Sequence, residues 1–339
     1  MRVEPSSIRR LLVIKLRAIG DVLLSTIVIP NLRKAFPEAA IEFLTEPPAA
    51  TIVRHNPSLD DVIVFDRKSA SGAWLMREVR RRNYDMVIDL FGNPRTALVT
   101  RSSGARYRVG FRFRGRAYAY NILVEPRGGV VHNTQFNLDA LDAIGVPVVD
   151  RSTYFPLSDQ DIQFADDFFA ANAPEKVPVI AVNSGGGWYT KRWGLDRFAE
   201  LGNHLSHQYR AKLLLVWGPG ERPDVESMRS RMSVEPLVPP PTTLGQMGAL
   251  LRRCSLMVTN DSGPMHIAAS LGTPVVGIYG PTNPHLQGPY GTDSIVVRNE
   301  HLQCLGCNLT TCPIGHPCMM GLSVGKVLEA AGRLLAEGQ

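Results

Sequence analysis

The chain has 339 residues, of which 44% are hydrophobic and 20% are charged. This length is enough for two ordinary domains with their own cores, and the composition excludes a disordered or fibrous protein. The excess of 37 Lys and Arg over 31 Asp and Glu residues is modest, but five arginines lie within residues 106–116. The positive charge is therefore local, which indicates an anionic partner.

The sequence shows no segment typical of a membrane span or a signal peptide. No apolar run reaches the roughly 18 to 20 residues needed to cross a bilayer. The apolar run at 11–14 ends at Lys15 and is too short for a secretory signal. We therefore expect a cytoplasmic protein.

The first half of the chain alternates predicted strands with helix-length segments. Residues 11–16 predict a buried strand, 17–21 a tight loop, and 22–36 an apolar helix. Pro37 ends that helix. Further strands are predicted at 40–44, 61–65 and 86–90. This alternation is typical of a parallel sheet with helices on both faces.

The second half repeats the pattern after a break at 150–156. Its strands are predicted at 177–183, 212–217, 256–259 and 274–279. The predicted fold class is therefore α/β, with two Rossmann-like domains that face each other across a crevice in which ligands bind. A seam is expected at 174–178. The predicted organisation is an N-terminal domain at 1–172, a C-terminal domain at 173–322, and a helix at 323–339 that packs across both.

The loop after the first strand carries a carboxylate at the start of a helix. Gly20 and Asp21 follow that strand directly, so Asp21 is expected at the crevice. It can cap the helix. Alternatively, it can accept the proton of a sugar hydroxyl that comes within about 3 Å.

A glycine-rich, basic loop follows the first strand of the second half. Three glycines at 185–187 allow a ligand to approach the backbone closely, and Gly186 and Gly187 are the candidate binding residues. Lys191 adds positive charge, so the loop is suited to a phosphate. A flexible surface loop is the alternative. The loop is no Walker A sequence, and no Gly-x-Gly-x-x-Gly follows a strand, which counts against a dehydrogenase.

The segment 258–266 predicts the end of a strand, a turn, and a helix that starts at Pro264, where the missing N–H is tolerated. Free amides and the positive end of the helix dipole favour a pyrophosphate there. Ser262 and His266 add side-chain donors. The alternative is an ordinary helix with Asp261 as its N-cap.

A second carboxylate, Glu221, follows the predicted strand at 212–217. Its position suits hydrogen bonds with ribose or sugar hydroxyls. A solvated turn residue is the alternative.

Five segments of the chain have a distinctive order and spacing. They are Lys-Leu-Arg-Ala-Ile-Gly-Asp-Val at 15–22, Lys-Arg-Trp at 191–193, Trp-Gly at 217–218, Asn-Asp-Ser-Gly-Pro-Met-His at 260–266 and Tyr-Gly-Pro-Thr-Asn-Pro at 279–284. The set closely resembles glycosyltransferase family 9, the lipopolysaccharide heptosyltransferases. The resemblance covers essentially the whole chain, and the motifs together are far more specific than any one alone.

The resemblance implies a GT-B fold, with the acceptor bound by the N-terminal domain and ADP-heptose by the C-terminal domain. It also implies an inverting transfer that needs no metal or other cofactor. Asp21 is then the candidate general base. Lys191 contacts the donor phosphate, and Glu221 contacts the nucleotide ribose. The residues that hold the heptose and pyrophosphate are then Asp261, Ser262, Gly263 and His266. The glycine-rich donor loop departs from the more hydroxylated loops of some relatives.

The arginine-rich segment 106–116 alternates cations with aromatic residues. An RNA-binding strand and a solvated basic face are two explanations. The third, which we favour, is binding of the anionic lipopolysaccharide core, since arginine pairs with carboxylates and phosphates. No nucleic-acid partner is expected, and the same charge predicts a peripheral location at the inner membrane surface. The candidate acceptor-binding residues are Arg17, Arg112, Arg114 and Arg116.

Four of the five cysteines are clustered near the end of the chain, at Cys304, Cys307, Cys312 and Cys318. Four thiolates in one loop are enough for a structural zinc or iron site. The spacing is irregular for a zinc ribbon, and unmetallated thiols or disulfides are the alternatives. The fifth, Cys254, is predicted to be a buried core residue.

The leading hypothesis is therefore an ADP-heptose transferase acting on the lipopolysaccharide core. A GT-B transferase that uses another nucleotide sugar for a surface glycan is one alternative. A non-catalytic nucleotide-sugar-binding protein is the other, but it would need no carboxylate at Asp21.

Overall fold

The computed structural model describes residues 3–173 and 177–337. Within it the chain divides into two compact units between Pro156 and Leu157. Each unit contains one all-parallel sheet with helices between its strands. The predicted α/β class is therefore confirmed.

The first unit contains a six-stranded sheet in the order β3-β2-β1-β4-β5-β6. Its strands are β1 (Arg10–Ile14), β2 (Ala40–Thr45), β3 (Asp61–Val64), β4 (Met86–Asp89), β5 (Tyr107–Phe111) and β6 (Ile122–Val124). Its α-helices are α1 (Ile19–Ser25), α2 (Val28–Ala35), α3 (Pro47–Val53), α4 (Gly72–Arg81), α5 (Pro94–Ser102) and α6 (Asn133–Asp142). Short 3-10 helices lie at Pro5–Ser7 and Ala117–Ala119. The central strand β1 is apolar and buried after its first residue, as expected of a strand covered on both faces.

The second unit contains a five-stranded sheet in the order β11-β10-β9-β7-β8. Its strands are β7 (Val179–Asn183), β8 (Lys212–Leu215), β9 (Leu256–Asn260), β10 (Val275–Ile278) and β11 (Ser294–Val297). Its α-helices are α7 (Asp159–Asn172), α8 (Leu195–Tyr209), α9 (Arg222–Arg229), α10 (Leu244–Arg252), α11 (Gly263–Ser270), α12 (Pro284–Gln287), α13 (Pro317–Met320) and α14 (Val324–Glu337). A 3-10 helix lies at Tyr189–Lys191. Cys254 is buried in this unit, as predicted.

The single helix predicted at 22–36 is wrong, because the structure has α1 and α2 there. Pro30 explains the break: it has no N–H to donate, and its ring clashes with a helical carbonyl four residues earlier. The Thr26 carbonyl instead accepts a hydrogen bond from the Ile29 N–H at 2.9 Å.

The division between the units lies earlier than the sequence placed it. The sequence assigned residues 157–172 to the N-terminal domain, but α7 packs against α10 and so belongs to the second unit. Most of the predicted seam at 174–178 lies outside the described residues. Helix α14 packs on α8 and the second sheet, and its packing across both units stays a prediction. No described helix is long and apolar enough to span a bilayer.

Candidate active site

Each sheet has one point at which the chain reverses its direction of strand addition. In the first sheet this switch point lies between β1 and β4, and in the second it lies between β7 and β9. Loops at the carboxyl ends of the two strands diverge there and leave space for a ligand. The loop after β1 carries Asp21, the loop after β7 carries Lys191, and the turn after β9 carries Asp261. The sequence candidates therefore lie at the two positions where this fold binds ligands.

Asp21 occupies the third position of α1. Its Oδ2 accepts a hydrogen bond from the backbone N–H of Ala18 at 3.2 Å, where Ala18 is the N-cap residue. The capping explanation is thus partly correct. Among residues 3–173 and 177–337 no hydrogen bond reaches Oδ1. One oxygen can therefore hold the loop while the other accepts a proton.

Lys15 and Asp89 place two further charges beside Asp21. The Lys15 ammonium donates to the Leu90 carbonyl at 3.1 Å. Burial lowers the pKa of Lys15, and the nearby carboxylates of Asp21 and Asp89 oppose that fall. Burial raises the pKa of Asp89, while the Gly92 N–H and the Tyr120 hydroxyl stabilise its charged form. Lys15 and the two carboxylates therefore interact electrostatically at the switch point.

Glu46, which the sequence reasoning missed, lies at the end of β2 between two arginines. Its Oε2 lies 3.9 Å from Arg17 Nε, and its Oε1 lies 4.0 Å from Arg95 Nη1. Glu46 is almost fully buried, whereas the Arg17 side chain is 56% exposed. Arg17 is therefore anchored at the switch point with its guanidinium accessible.

The other three acceptor candidates lie in the loop after β5, at the same edge of the sheet. Arg112 pairs with Glu125 on the surface. Arg116 donates to the Gly92 carbonyl at 2.9 Å and stacks on the Phe113 ring. Arg114 is exposed and forms no ion pair or hydrogen bond within the described part of the chain. The three arginines therefore differ in their intramolecular contacts, and Arg114 is the exposed one without an ion pair or hydrogen bond in the described residues.

Two asparagines hold the glycine-rich loop after β7 in the second unit. Asn183, at the end of β7, donates to Ser262 Oγ at 3.0 Å and accepts from the Gly185 N–H at 3.0 Å. Asn260, at the end of β9, donates to the Ser184 carbonyl at 2.8 Å and accepts from the Trp193 N–H at 3.2 Å. Both asparagines are buried. Their position at the ends of adjacent strands was a signal in the sequence that the predicted site left unused.

Lys191 and Asp261 form a buried ion pair across this loop and the turn after β9. Lys191 Nζ lies 2.7 Å from Asp261 Oδ2, and the two side chains are only 15% and 6% exposed. The ammonium also lies 4.7 Å from the Trp188 ring centroid. The lysine is thus held in place by a carboxylate and an aromatic face.

The explanation of Asp261 as the N-cap of α11 is wrong. The N-cap is Ser262, its side chain makes no capping hydrogen bond, and the helix begins at Gly263. Ser262 Oγ is instead turned toward Asn183. His266 is buried one turn into the same helix. The first amides of α11 have no partner inside the helix, so this start is suited to an anion.

Glu221 packs closely against Gly185 of the glycine-rich loop. Glu221 Oε2 accepts from the Gly218 N–H at 2.8 Å, and a Cβ on Gly185 would lie only 2.4 Å from Oε1. Only glycine fits at this position without displacing the carboxylate. The sequence selected Gly186 and Gly187 instead. A Cβ on Gly186 would meet ordinary contacts, and one on Gly187 would meet open space.

The four clustered cysteines line one small apolar cavity together with Thr190 and His316. All four thiols are free, and Cys318 is buried. Burial raises the pKa of Cys318, and the nearby thiols of Cys304 and Cys307 act in the same direction. No three Cys, His, Asp or Glu side chains in 3–173 and 177–337 are arranged to hold a metal ion. Soft donors are therefore present, but the observed arrangement is not a coordination sphere, and the disulfide alternative is not observed.

The family profile of glycosyltransferase family 9 (heptosyltransferase) matches residues 73–317. The chain is 25% identical to the lipopolysaccharide core heptosyltransferase OpsX of Haemophilus influenzae, over 87% of this chain and 86% of that protein. It is 26% identical to lipopolysaccharide heptosyltransferase 3 of Escherichia coli, over 82% and 84% of the two chains.

Solved structures share the architecture over nearly the whole chain. A family 9 glycosyltransferase from Veillonella parvula has a TM-score of 0.86 and 26% identity, with 97% of each chain covered. E. coli WaaC with ADP-2-deoxy-2-fluoro heptose has a TM-score of 0.71 and 21% identity, covering 97% of this chain and all of WaaC. The iron-containing dodecameric glycosyltransferase TibC of E. coli has a TM-score of 0.60 and 16% identity, covering all of this chain and 78% of TibC. The predicted GT-B fold is confirmed.

Proposed function

The chain belongs to glycosyltransferase family 9, and from that membership we propose that it transfers heptose from ADP-heptose to the anionic inner core of lipopolysaccharide. The observation that carries this proposal is the second switch point. There the Lys191–Asp261 pair lies beside the start of α11, with Glu221 against the same loop. A compact cation, backbone amides and a carboxylate match pyrophosphate on one side and ribose hydroxyls on the other.

Asp21 acts as the general base in this proposal. Its Oδ1 removes the proton from the acceptor hydroxyl when that hydroxyl comes within about 3 Å. The oxygen forms a bond to the anomeric carbon as the bond from that carbon to the ADP oxygen breaks. Attack from the face opposite the leaving group inverts the anomeric configuration in one displacement. The Ala18 hydrogen bond to Oδ2 keeps the carboxylate oriented.

The leaving pyrophosphate gains negative charge during this displacement. Lys191 and the first amides of α11 stabilise that charge more strongly in the transition state than in the bound donor. Pro264 contributes no amide, so Gly263 and Met265 supply the backbone donors. Asp261 sets the position of the ammonium and offsets its charge. Ser262 and His266 complete the proposed contacts with the heptose and pyrophosphate.

A donor screen tests the proposal. Purified protein is incubated with a truncated core acceptor and with ADP-heptose, UDP-sugars or GDP-sugars in competition, and nucleotide release is measured. We expect acceptor-dependent release of ADP. Preferential turnover of a UDP- or GDP-sugar would leave the fold standing and overturn the donor assignment. Tight donor binding without turnover would support a nucleotide-sugar-binding protein.

We also propose that the arginines after β5 hold the anionic acceptor and draw the enzyme to an anionic membrane surface. Exposure of Arg112 and Arg114 supports this. Co-sedimentation should increase with vesicles of phosphatidylglycerol relative to phosphatidylcholine, and should fall at high salt. Equal sedimentation with both lipids would remove the peripheral-membrane part of the proposal.

A structural zinc or iron ion at the four clustered cysteines is a separate proposal. Four soft sulfur donors on one cavity support it by their chemistry, although the observed arrangement does not. Such an ion would be structural, because four protein ligands leave no open position. Elemental analysis of untagged protein should find about one zinc or iron per chain. Metal-free protein with the same melting temperature in a chelator would exclude it.

A further inference from the structure

The cysteine loop, residues 304–318, packs directly on the turn that carries Lys191. The Thr190 hydroxyl donates to the Leu309 carbonyl at 2.8 Å, and Thr190 is buried. The neighbouring Tyr189 ring lies 5.0 Å from the His316 ring. Two consecutive residues before Lys191 are therefore held by the cysteine loop.

The same loop is also fixed to the turn after β10. The Gly306 N–H donates to the Gly280 carbonyl at 3.1 Å, and the Asn308 N–H donates to the Pro281 carbonyl at 2.7 Å. A Cβ on Gly280 would lie 2.8 Å from Cys318 Sγ, so the backbone approaches the cysteine closely. The loop thus joins the lysine turn to a second turn at the same edge of the sheet.

We propose that the cysteine loop is a positioning element for Lys191 and that Thr190 is its main contact. This inference rests on the proposed role of Lys191 at the donor pyrophosphate. A lysine side chain is long and flexible, so the position of its ammonium depends on the backbone beneath it as well as on Asp261 and the Trp188 ring. Stabilisation of the charge that develops on the leaving group requires a cation that is already in position. A displacement of that cation by about 1 Å can lower the rate strongly. Thr190 does not touch the donor in this account. It acts through the backbone of Lys191.

The key variant is Thr190→Val, which keeps the side-chain shape and removes the hydroxyl that donates the hydrogen bond to Leu309. Loss of one hydrogen bond in the turn should lower kcat for ADP release about ten-fold, while KM for ADP-heptose changes by less than about three-fold. Thr190→Ser keeps the hydroxyl and should restore kcat to within about two-fold of the wild type. Thr311→Val is the matched control, since Thr311 is exposed on the same loop.

A double-mutant cycle separates positioning from simple destabilisation. In the Lys191→Ala/Asp261→Asn background, Thr190→Val should lower kcat by less than about two-fold further, because the group that it positions is gone. An equal loss in both backgrounds would overturn the inference and leave the proposed function intact. Near-wild-type kcat for folded Thr190→Val would also overturn it. A Lys191→Ala/Asp261→Asn protein with wild-type kcat would overturn both the inference and the proposed role of Lys191.

Discussion

The two units differ in how they hold the cations that we propose to meet the two substrates. In the second unit, Lys191 and Asp261 are buried together, and two asparagines fix the backbone around them. In the first unit the Arg112 side chain is 53% exposed, and Arg114 lies on the surface. A buried, paired cation provides a fixed site for a small ligand, whereas exposed arginines adapt to a large and variable one. Under the proposed function, the difference predicts a preorganised donor site and an adaptable acceptor site.

The largest effect is expected at Asp21, the proposed general base at the first switch point. Asp21→Asn should lower kcat by about 10² to 10⁴, the usual contribution of a general base. The amide oxygen can still accept from the Ala18 N–H, so the fold should persist. Steady-state ADP release and circular dichroism check this. Near-normal turnover by the folded variant would reduce Asp21 to a helix cap.

The next largest effect is expected at the Lys191–Asp261 pair of the second unit. Lys191→Ala should lower kcat/KM by about 10² or more. It should also destabilise the protein by on the order of 3 kcal/mol, because Asp261 is left buried without its partner. Adding Asp261→Asn should recover much of the stability and none of the activity. Urea unfolding and ADP release measure the two quantities separately.

Lys191→Arg is the matched charge control for that test. It should rescue activity only in part, because a broad planar fork does not reproduce a compact ammonium in a glycine-lined loop. Full rescue by arginine would show that charge alone is required, and would contradict the fixed geometry that we assign to the second unit.

A smaller effect is expected for the exposed arginines of the first unit. Arg114→Ala should raise the KM for the anionic acceptor by a few-fold, about 1 kcal/mol or less, and leave the KM for ADP-heptose unchanged. The loss should shrink as salt is added, since exposed charges are screened. A salt-independent loss would mean that the acceptor site is as enclosed as the donor site.

The smallest effect concerns Glu78, in a charge network away from both switch points. Hydrogen bonds from Arg81 and Arg82 lower the pKa of Glu78 from 4.5 to about 2. The folded state therefore favours the charged form, so this stability is present above about pH 4.5 and is lost as the pH falls toward 2. Urea unfolding at pH 6 and pH 3.5 should show that Glu78→Gln is destabilised at both pH values, and less so at pH 3.5. Activity at pH 7 should be unchanged, and a clear loss would link this network to the site.

Much of the fold was predictable because its strands are continuous apolar runs between clear breaks. The strand β5 was missed because arginines dominate 106–116, although Tyr107, Val109 and Phe111 alternate inward and are buried. The break at Pro30 had a local signal that the long apolar pattern obscured. The division between the units depended on α7 packing against α10, a distant contact that no local pattern contains.

The candidate site was predictable as a set of loops and less so as a set of contacts. Asp21, Lys191 and Asp261 were found because each follows a strand of a parallel sheet. Their partners were not, since the Lys191–Asp261 pair joins residues far apart in sequence. Gly185 was passed over in favour of its neighbours because only the position of Glu221 decides which glycine is crowded. The spacing of the four cysteines likewise indicated that they lie close together. It did not predict how their thiols are arranged around the cavity that they line.

Calorimetric titration of ADP tests most directly the proposal that the second unit, and not Asp21 of the first unit, binds the donor nucleotide. The wild type, Asp21→Asn, and Lys191→Ala/Asp261→Asn are titrated under one set of conditions. We expect the same Kd for the wild type and Asp21→Asn, and a Kd about ten-fold or more weaker for the lysine variant, as loss of a charged contact predicts. Equal ADP affinity in all three proteins, or a weakening by Asp21→Asn as large as that by the lysine variant, would contradict a preorganised donor site in the second unit.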